Sequence, residues 1–333
     1  MNRVAILGAG SWGTALAVHL AREGRVVSLW ARNDALITEM IARRANTRYL
    51  ADVALPSSVG ATSSLPVALQ DAQFVVLAVP SHGLRAVVRA AIPWLPAAAI
   101  LVSAAKGLEG ESLQRMSQVI ADETKDEFPV VVLSGPSFAA EVARGLPTAV
   151  LAASSDSGAA ERVQDQFRGR GLRLYASDDV AGVEIGGALK NVIAIAAGVV
   201  EGLGLGQNAL AALITRGLVE ISRLACAEGG RRDTLAGLSG LGDLVLTCTG
   251  SLSRNRQVGV ELGQGRQLAD ILAGMHMVAE GVRTTGAALA LGARHGLELP
   301  ITAQMSTVLD GRVSPLEAVE ILMGRRQRAE VDG

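Results

Sequence analysis

The stretch Val4-Ala5-Ile6-Leu7-Gly8-Ala9-Gly10-Ser11-Trp12-Gly13-Thr14 decides how the whole chain is read. Four apolar residues in a row predict a buried strand, and a helical pattern over residues 14–23 follows at once. Between them lies G-x-G-x-x-G. Alone that spacing is a weak signal. Between a strand and a helix, inside a β-α-β unit, it predicts a dinucleotide-binding turn. Gly8 permits the tight turn, Gly10 lets the backbone approach a pyrophosphate, and Gly13 allows close helix–strand packing. The pyrophosphate would sit over the helix N-terminus, where free N–H groups and the helix dipole favour an anion. A plain glycine-rich turn is the alternative.

Working outward, residues 26–30 predict a second strand and residues 34–43 a helix. Further strands are predicted at 74–79, 100–103, 130–133 and 148–152. Continuous apolar strands alternating with helices indicate a parallel sheet covered on both faces. After Asp178-Asp179 the strand-like runs stop. Helical stretches take over at 183–200, 209–227, 268–275 and 284–295. The expected architecture is an α/β N-terminal Rossmann-type doubly wound domain followed by an all-α C-terminal domain. The dinucleotide-binding domain is expected over residues 1–180 and the helical substrate and catalytic domain over 181–333.

Composition narrows the function. Of 333 residues, 49% are hydrophobic and 19% charged, as a folded, core-rich chain requires. Aromatics reach only 3%, so the core must be built from Ala, Val, Leu and Ile. The net charge of −1 argues against a general nucleic-acid or membrane-surface binder. Any anionic ligand must therefore be held by local charges. Cys226 and Cys248 are the only cysteines, which fits a reducing compartment and falls short of a zinc-site spacing. No metal site is expected. The N-terminal apolar run is broken by Gly8 and Gly10, unlike a signal peptide. The uncharged stretch at residues 90–105 contains Pro93 and Pro96 and is shorter than the ~20 residues of a spanning helix. No transmembrane segment is expected, and the location is read as cytoplasmic.

Several residues stand out for chemistry. From Arg25 to Asn33 there is no acidic residue to bind a ribose 2′-hydroxyl, and Arg32 stands where it could meet a 2′-phosphate. NADPH is therefore expected to bind at least as well as NADH. Lys190 is the only ionisable residue between Ile185 and Val200, with Gly186 and Gly187 leaving space beside it. A lysine on a buried helix is costly unless paired or functional, and desolvation would make it a plausible proton donor and acceptor. Asp243 follows three closely spaced glycines, where it could orient a substrate hydroxyl or a catalytic lysine. Ser253-Arg254-Asn255-Arg256 gathers donors suited to a phosphate, or else forms a solvated loop. Lys106 and Ser134-Gly135-Pro136-Ser137 each follow a predicted strand, at the end that lines the ligand crevice of this fold.

Together these segments resemble the bacterial-type NAD(P)-dependent sn-glycerol-3-phosphate dehydrogenases over essentially the whole chain. The matching stretches are GAGSWGTALA (8–17), AAKGLE (104–109), GPSFAAE (135–141), ALKNVIAIAAG (188–198), ALITRGL, GLSGLGDLVLTCTG (237–250), SRNR (253–256) and VAEGVR (278–283). The resemblance implies that Lys190 is the proton donor and acceptor. It implies glycerol-phosphate contacts at Lys106, Gly135, Ser137, Asp243, Ser253, Arg254 and Asn255. Ser11, Trp12, Arg32, Ala139, Val278 and Glu280 become cofactor contacts, with Lys106 and Arg254 close to both ligands. It further implies NADP(H) or NAD(H) as cofactor, a small phosphorylated substrate, a homodimer, and a place in glycerophospholipid supply. Two rivals stay open at this point: a β-hydroxyacid dehydrogenase on the same architecture, and a catalytically inactive dinucleotide sensor.

Overall fold

The structure, a computed structural model, describes residues 3–275, 278–327 and 329–330. The first half alternates strands and helices. β1 (Arg3–Leu7), α1 (Ser11–Arg22), β2 (Val26–Trp30) and α2 (Asp34–Arg43) are followed by β3 (Ala45–Asn46), β4 (Leu50–Ala54) and β5 (Val59–Thr62). Next come α3 (Leu65–Leu69), β6 (Phe74–Leu77), α4 (Leu84–Ala91), β7 (Ile100–Ser103), α5 (Met116–Thr124) and β8 (Val130–Ser134). α6 (Ala139–Arg144), β9 (Thr148–Ala153), α7 (Ser157–Phe167) and β10 (Leu172–Ser177) close this half. Eight strands form one sheet in the order β10-β9-β8-β7-β6-β1-β2-β5. Both faces are covered, as the apolar runs require: Val4 and Ile6 enter one core with Leu16 and Phe167, while Ala5 and Leu7 enter another with Leu84 and Ile120.

Strand order reverses beside β1, which pairs in parallel with β2 on one side and β6 on the other. A ligand crevice opens at such a switch point, outside the carboxyl ends of the strands. The sheet is not wholly parallel, against the expectation. β8 and β9 are antiparallel, with Val132 opposite Ala153. The connection, residues 135–147 with the six-residue α6, brings the chain to β9 at the carboxyl end of β8, and β9 runs back from there, pairing Ser134 with Leu151. β5 and β10 were also unforeseen. Gly60 weakens β5, and β10 buries Leu172 and Leu174 while exposing Arg173 and Tyr175, an alternation that is no continuous apolar run.

The second half is helical among the described residues: α8 (Val180–Gly202), α9 (Gly206–Ala227), α10 (Arg232–Leu235), a π-helical turn at Leu238–Gly242, α11 (Asp243–Thr249), α12 (Arg254–Gly263), α13 (Leu268–Ala273), α14 (Glu280–Arg294), α15 (Pro300–Leu309) and α16 (Pro315–Met323). α8 is the axis. It is long and apolar enough to cross a membrane by length and composition, yet its apolar window lies entirely inside the protein. Asp179 caps its start by accepting a hydrogen bond from the Gly182 N–H at 2.9 Å. Glycines press α12 onto it. A Cβ on Gly198 would lie 2.0 Å from the Arg256 carbonyl oxygen, and one on Gly259 would lie 1.9 Å from that of Ile195. This backbone-to-backbone approach brings the N-terminus of α12, with Arg254 and Asn255, to the middle of α8.

Candidate active site

The fingerprint turn has the geometry its glycines require. Gly8 has φ of 125°, and a Cβ there would strike the Ala78 carbonyl oxygen at 2.5 Å. On Gly13 a Cβ would fall 1.9 Å from the Gly8 oxygen. Around Gly10 the situation differs: a Cβ would meet nothing within 4 Å. Gly10 is also the N-cap of α1 and makes no side-chain cap. The helix thus presents its first N–H groups beside open space, the cradle that a pyrophosphate fits. Ser11 Oγ donates to the Tyr49 carbonyl at 2.8 Å, and the half-buried Trp12 packs on the sheet core. Arg32 is exposed, just beyond β2. Buried Asn46 secures the turn, donating to the Ala9 carbonyl at 2.9 Å and to Thr14 Oγ1 at 2.8 Å.

At the far side of the crevice three ionisable side chains from distant segments meet. Lys190, on α8, is 7% exposed and Asp243, which starts α11, is 1% exposed. The Lys190 ammonium donates to Asp243 Oδ1 and, at 2.9 Å, to Thr247 Oγ1. The other Asp243 oxygen accepts from Lys106 at 2.6 Å. Lys106 also donates to the Gly135 carbonyl at 3.0 Å, and Ser137 Oγ donates to the same oxygen at 3.0 Å. The space expected beside Gly186 and Gly187 is filled. A Cβ on Gly186 would meet the Ser239 carbonyl at 2.7 Å, and one on Gly187 would meet Ser134 Oγ at 2.8 Å and Lys106 Cγ at 3.6 Å. The glycines let the sheet and the Lys106 loop close onto α8.

Two lysines share one carboxylate, so the cluster carries an excess positive charge in a buried place. Burial pushes the Lys190 ammonium down to about 8; the Asp243 charge opposes this and the Lys106 charge reinforces it. Burial alone would raise the Asp243 carboxyl, but the charges and hydrogen bonds of Lys106 and Lys190 hold it below its ordinary value. A lysine poised near neutrality, with its carboxylate partner kept ionised, can give and take a proton.

The donor cluster on α12 is divided. Ser253 Oγ caps the helix, accepting from the Arg256 N–H at 3.3 Å. Arg254 donates to the Val278 carbonyl at 2.9 Å. Burial lowers its pKa, with the Glu280 charge opposing. Asn255 donates to Asn191 Oδ1 at 2.9 Å and accepts from the Gly281 N–H at 3.0 Å. Arg256 turns away to Glu201 at 2.6 Å. Glu280 accepts from the Ser81 N–H at 3.1 Å and from Ser81 Oγ at 2.7 Å, joining the start of α14 to the loop after β6. Ala139 begins α6 and is half-buried. Sequence reasoning missed Thr247 and Asn191. Thr247 lies one helical turn after Asp243, an i, i+4 spacing that could have flagged it. Asn191 directly follows Lys190.

The chain is similar to known proteins over nearly its whole length. The family description "NAD-dependent glycerol-3-phosphate dehydrogenase N-terminus" matches residues 3–160, and its C-terminus counterpart matches residues 179–320. A glycerol-3-phosphate dehydrogenase (NAD(P)+) of Koribacter versatilis is 52% identical over 335 residues, covering 99% of each chain. One from Thioalkalivibrio sulfidiphilus is 51% identical over 327 residues, covering 98% of each. The crystal structure of glycerol-3-phosphate dehydrogenase from Coxiella burnetii superposes with a TM-score of 0.94 at 41% identity, covering 97% of this chain and 99% of that one. This chain belongs to the NAD-dependent glycerol-3-phosphate dehydrogenase family.

Proposed function

We propose that this protein catalyses the reversible NAD(P)H-dependent reduction of dihydroxyacetone phosphate to sn-glycerol 3-phosphate, supplying glycerophospholipid synthesis. The observation that carries the reading furthest is the Lys106–Asp243–Lys190 cluster, with Asp243 and Lys190 buried, at the far side of the dinucleotide crevice. Hydride transfer is the chemistry that the nicotinamide cofactor supplies when bound; orientation and proton delivery fall to the chain. The cofactor would be held by the Gly8, Gly10 and Gly13 turn with Ser11, Trp12 and Arg32, and by Ala139, Val278 and Glu280. Lys106 and Arg254 would face both ligands. Lys190, as ammonium, protonates the developing C2 alkoxide, and the Asp243 carboxylate holds that ammonium in place. Lys106, Gly135, Ser137, Ser253, Arg254 and Asn255 anchor the phosphorylated substrate, so that the carbonyl is presented in one orientation.

The domain boundary is placed near residue 180, in the short link between β10 and α8. A cytoplasmic homodimer completes the proposal, resting on the family likeness and, for the location, on the sparse cysteines. Sedimentation equilibrium tests the dimer. The function itself is tested by cofactor oxidation with dihydroxyacetone phosphate, run in parallel with NADPH and NADH. Turnover with the phosphorylated ketone is expected. Faster turnover of a 3-hydroxy acid than of glycerol 3-phosphate would instead make the protein a β-hydroxyacid dehydrogenase. Tight NADPH binding without turnover would make it a dinucleotide sensor.

A further inference from the structure

Lys106 and Lys190 come from opposite halves of the chain, and one buried carboxylate ties their carriers together. Glu184, on α8, is 5% exposed. It accepts hydrogen bonds from Arg115 at 2.7 Å, from the Ser117 N–H at 2.8 Å and from Ser117 Oγ at 2.6 Å. Arg115 ends the loop that begins with Lys106, and Ser117 lies in the first turn of α5, which follows it. That loop closes on itself: Leu108 forms an antiparallel bridge with Arg115, and the Glu109 N–H donates to the Gln114 carbonyl at 3.0 Å. Holding Arg115 therefore holds Leu108, which is itself buried in the helical core, two residues from Lys106.

The grip has a second point. Glu184 and Gly187 share one face of α8, being three residues apart. At Gly187 the absent Cβ lets the Lys106 stem and Ser134 lie directly on the helix. The loop thus meets α8 at two successive turns, by its lysine stem and by its Arg115 end, with Ser117 of α5. On the outer side the Arg115 guanidinium faces Glu228 at 3.9 Å, and Glu228 is bonded by His295 at 2.6 Å. A buried glutamate is seldom left without such partners, and removing one side of a buried pair leaves the other charge uncompensated.

We propose that Glu184 is a positioning residue for the reaction: it clamps the Lys106 loop onto α8 and so fixes Lys106 relative to Lys190 and Asp243. This rests on the dehydrogenase reading above. Lys106 would contact the substrate in the ground state and in the transition state alike, so loosening it should act on KM more than on kcat. In Glu184→Ala the KM for dihydroxyacetone phosphate should rise about fivefold or more, short of the roughly tenfold or greater loss of a direct charged contact. Glu184→Gln, which still offers an acceptor to Ser117, should fall between this variant and wild type. A purely structural role would lower kcat per total protein at unchanged KM. If Glu184→Ala fails to fold, Arg115→Gln and Ser117→Ala, which change the rim of the same contact, carry the same measurement. Wild-type KM in the folded variants, or a fall in kcat alone, would overturn the proposal. A wild-type protein that does not reduce dihydroxyacetone phosphate would remove the dehydrogenase reading, and this inference with it.

Discussion

The turn at Gly8–Gly13 and the cluster around Lys190 face one crevice and work by opposite means. At the turn the backbone acts. Side chains are withheld, α1 starts at Gly10 without a side-chain cap, and the space beside Gly10 is open. At the cluster the side chains act. Three charged groups from residues 106, 190 and 243 are desolvated against one another, and glycines serve only to let them close in. The first arrangement suits holding an anion with little selectivity over its chemistry. The second suits moving a proton. Changes at the turn should therefore appear as affinity for the cofactor, and loss of the Lys190 ammonium at the cluster as rate.

The largest effect should come at the cluster. Lys190→Met keeps the length and apolar stem while removing the ammonium. Positioned acid–base catalysis is typically worth ~10²–10⁴-fold, so kcat should fall by that order while NADPH binding and the folded state persist. Stopped-flow turnover and fluorescence titration of the same sample check both parts. Wild-type kcat would send the search for the proton donor to Lys106.

Arg254 lies where the two regions meet, between the substrate cluster and the start of α14. A charge-assisted contact is worth roughly 1.5–3 kcal/mol, so Arg254→Ala should lower kcat/KM for dihydroxyacetone phosphate by about tenfold or more. If Arg254 serves both ligands, the KM for NADPH rises as well. Near wild-type values in a folded variant would return this residue to a surface role.

At the turn, Gly10→Ala is the cleaner probe. A methyl there meets no protein atom within 4 Å, so thermal stability should hardly change. Crowding of a ligand in that space costs about 1–3 kcal/mol, so both cofactors should bind roughly tenfold or more weakly. A stability loss with unchanged affinity would mean that the space is not the cofactor's. Smaller still, and selective, is Arg32→Asp. It should weaken NADPH by about tenfold more than NADH. Equal effects on the two would show that Arg32 does not read the 2′-phosphate.

The same contrast explains what the sequence made legible. The turn is local: strand, three glycines and helix lie within twenty residues, and every spacing is set by the backbone. Helix α2 was bounded correctly because its polar start, Asn33, caps it by accepting from the Leu36 N–H at 2.9 Å. Lys190 was visible because it interrupts an apolar run, and Asp243 because glycines surround it. Their mutual contact was not, since it depends on how α11 packs on α8. Nor was the pairing of Gly198 with Arg256 and of Gly259 with Ile195, which needs both helices in hand before the glycines acquire meaning. The reversed β9 was hidden for a related reason. Its direction is a matter of how it pairs with β8, which the apolar run at 148–152 does not record. Thr247 looked like any helical threonine until Lys190 lay against it.

The central claim is that the Lys190 proton is the one delivered, and the dependence of kcat on pH in the two directions tests it most directly. Burial places the Lys190 ammonium at about 8. Reduction needs the protonated lysine, so its kcat should be high below about 8 and fall as pH rises through that value. Oxidation of glycerol 3-phosphate needs the neutral amine, so its kcat should rise through the same value. Two opposed limbs sharing one midpoint, both absent in Lys190→Met, are expected. Limbs that run in the same direction, or that survive in Lys190→Met, would contradict the account.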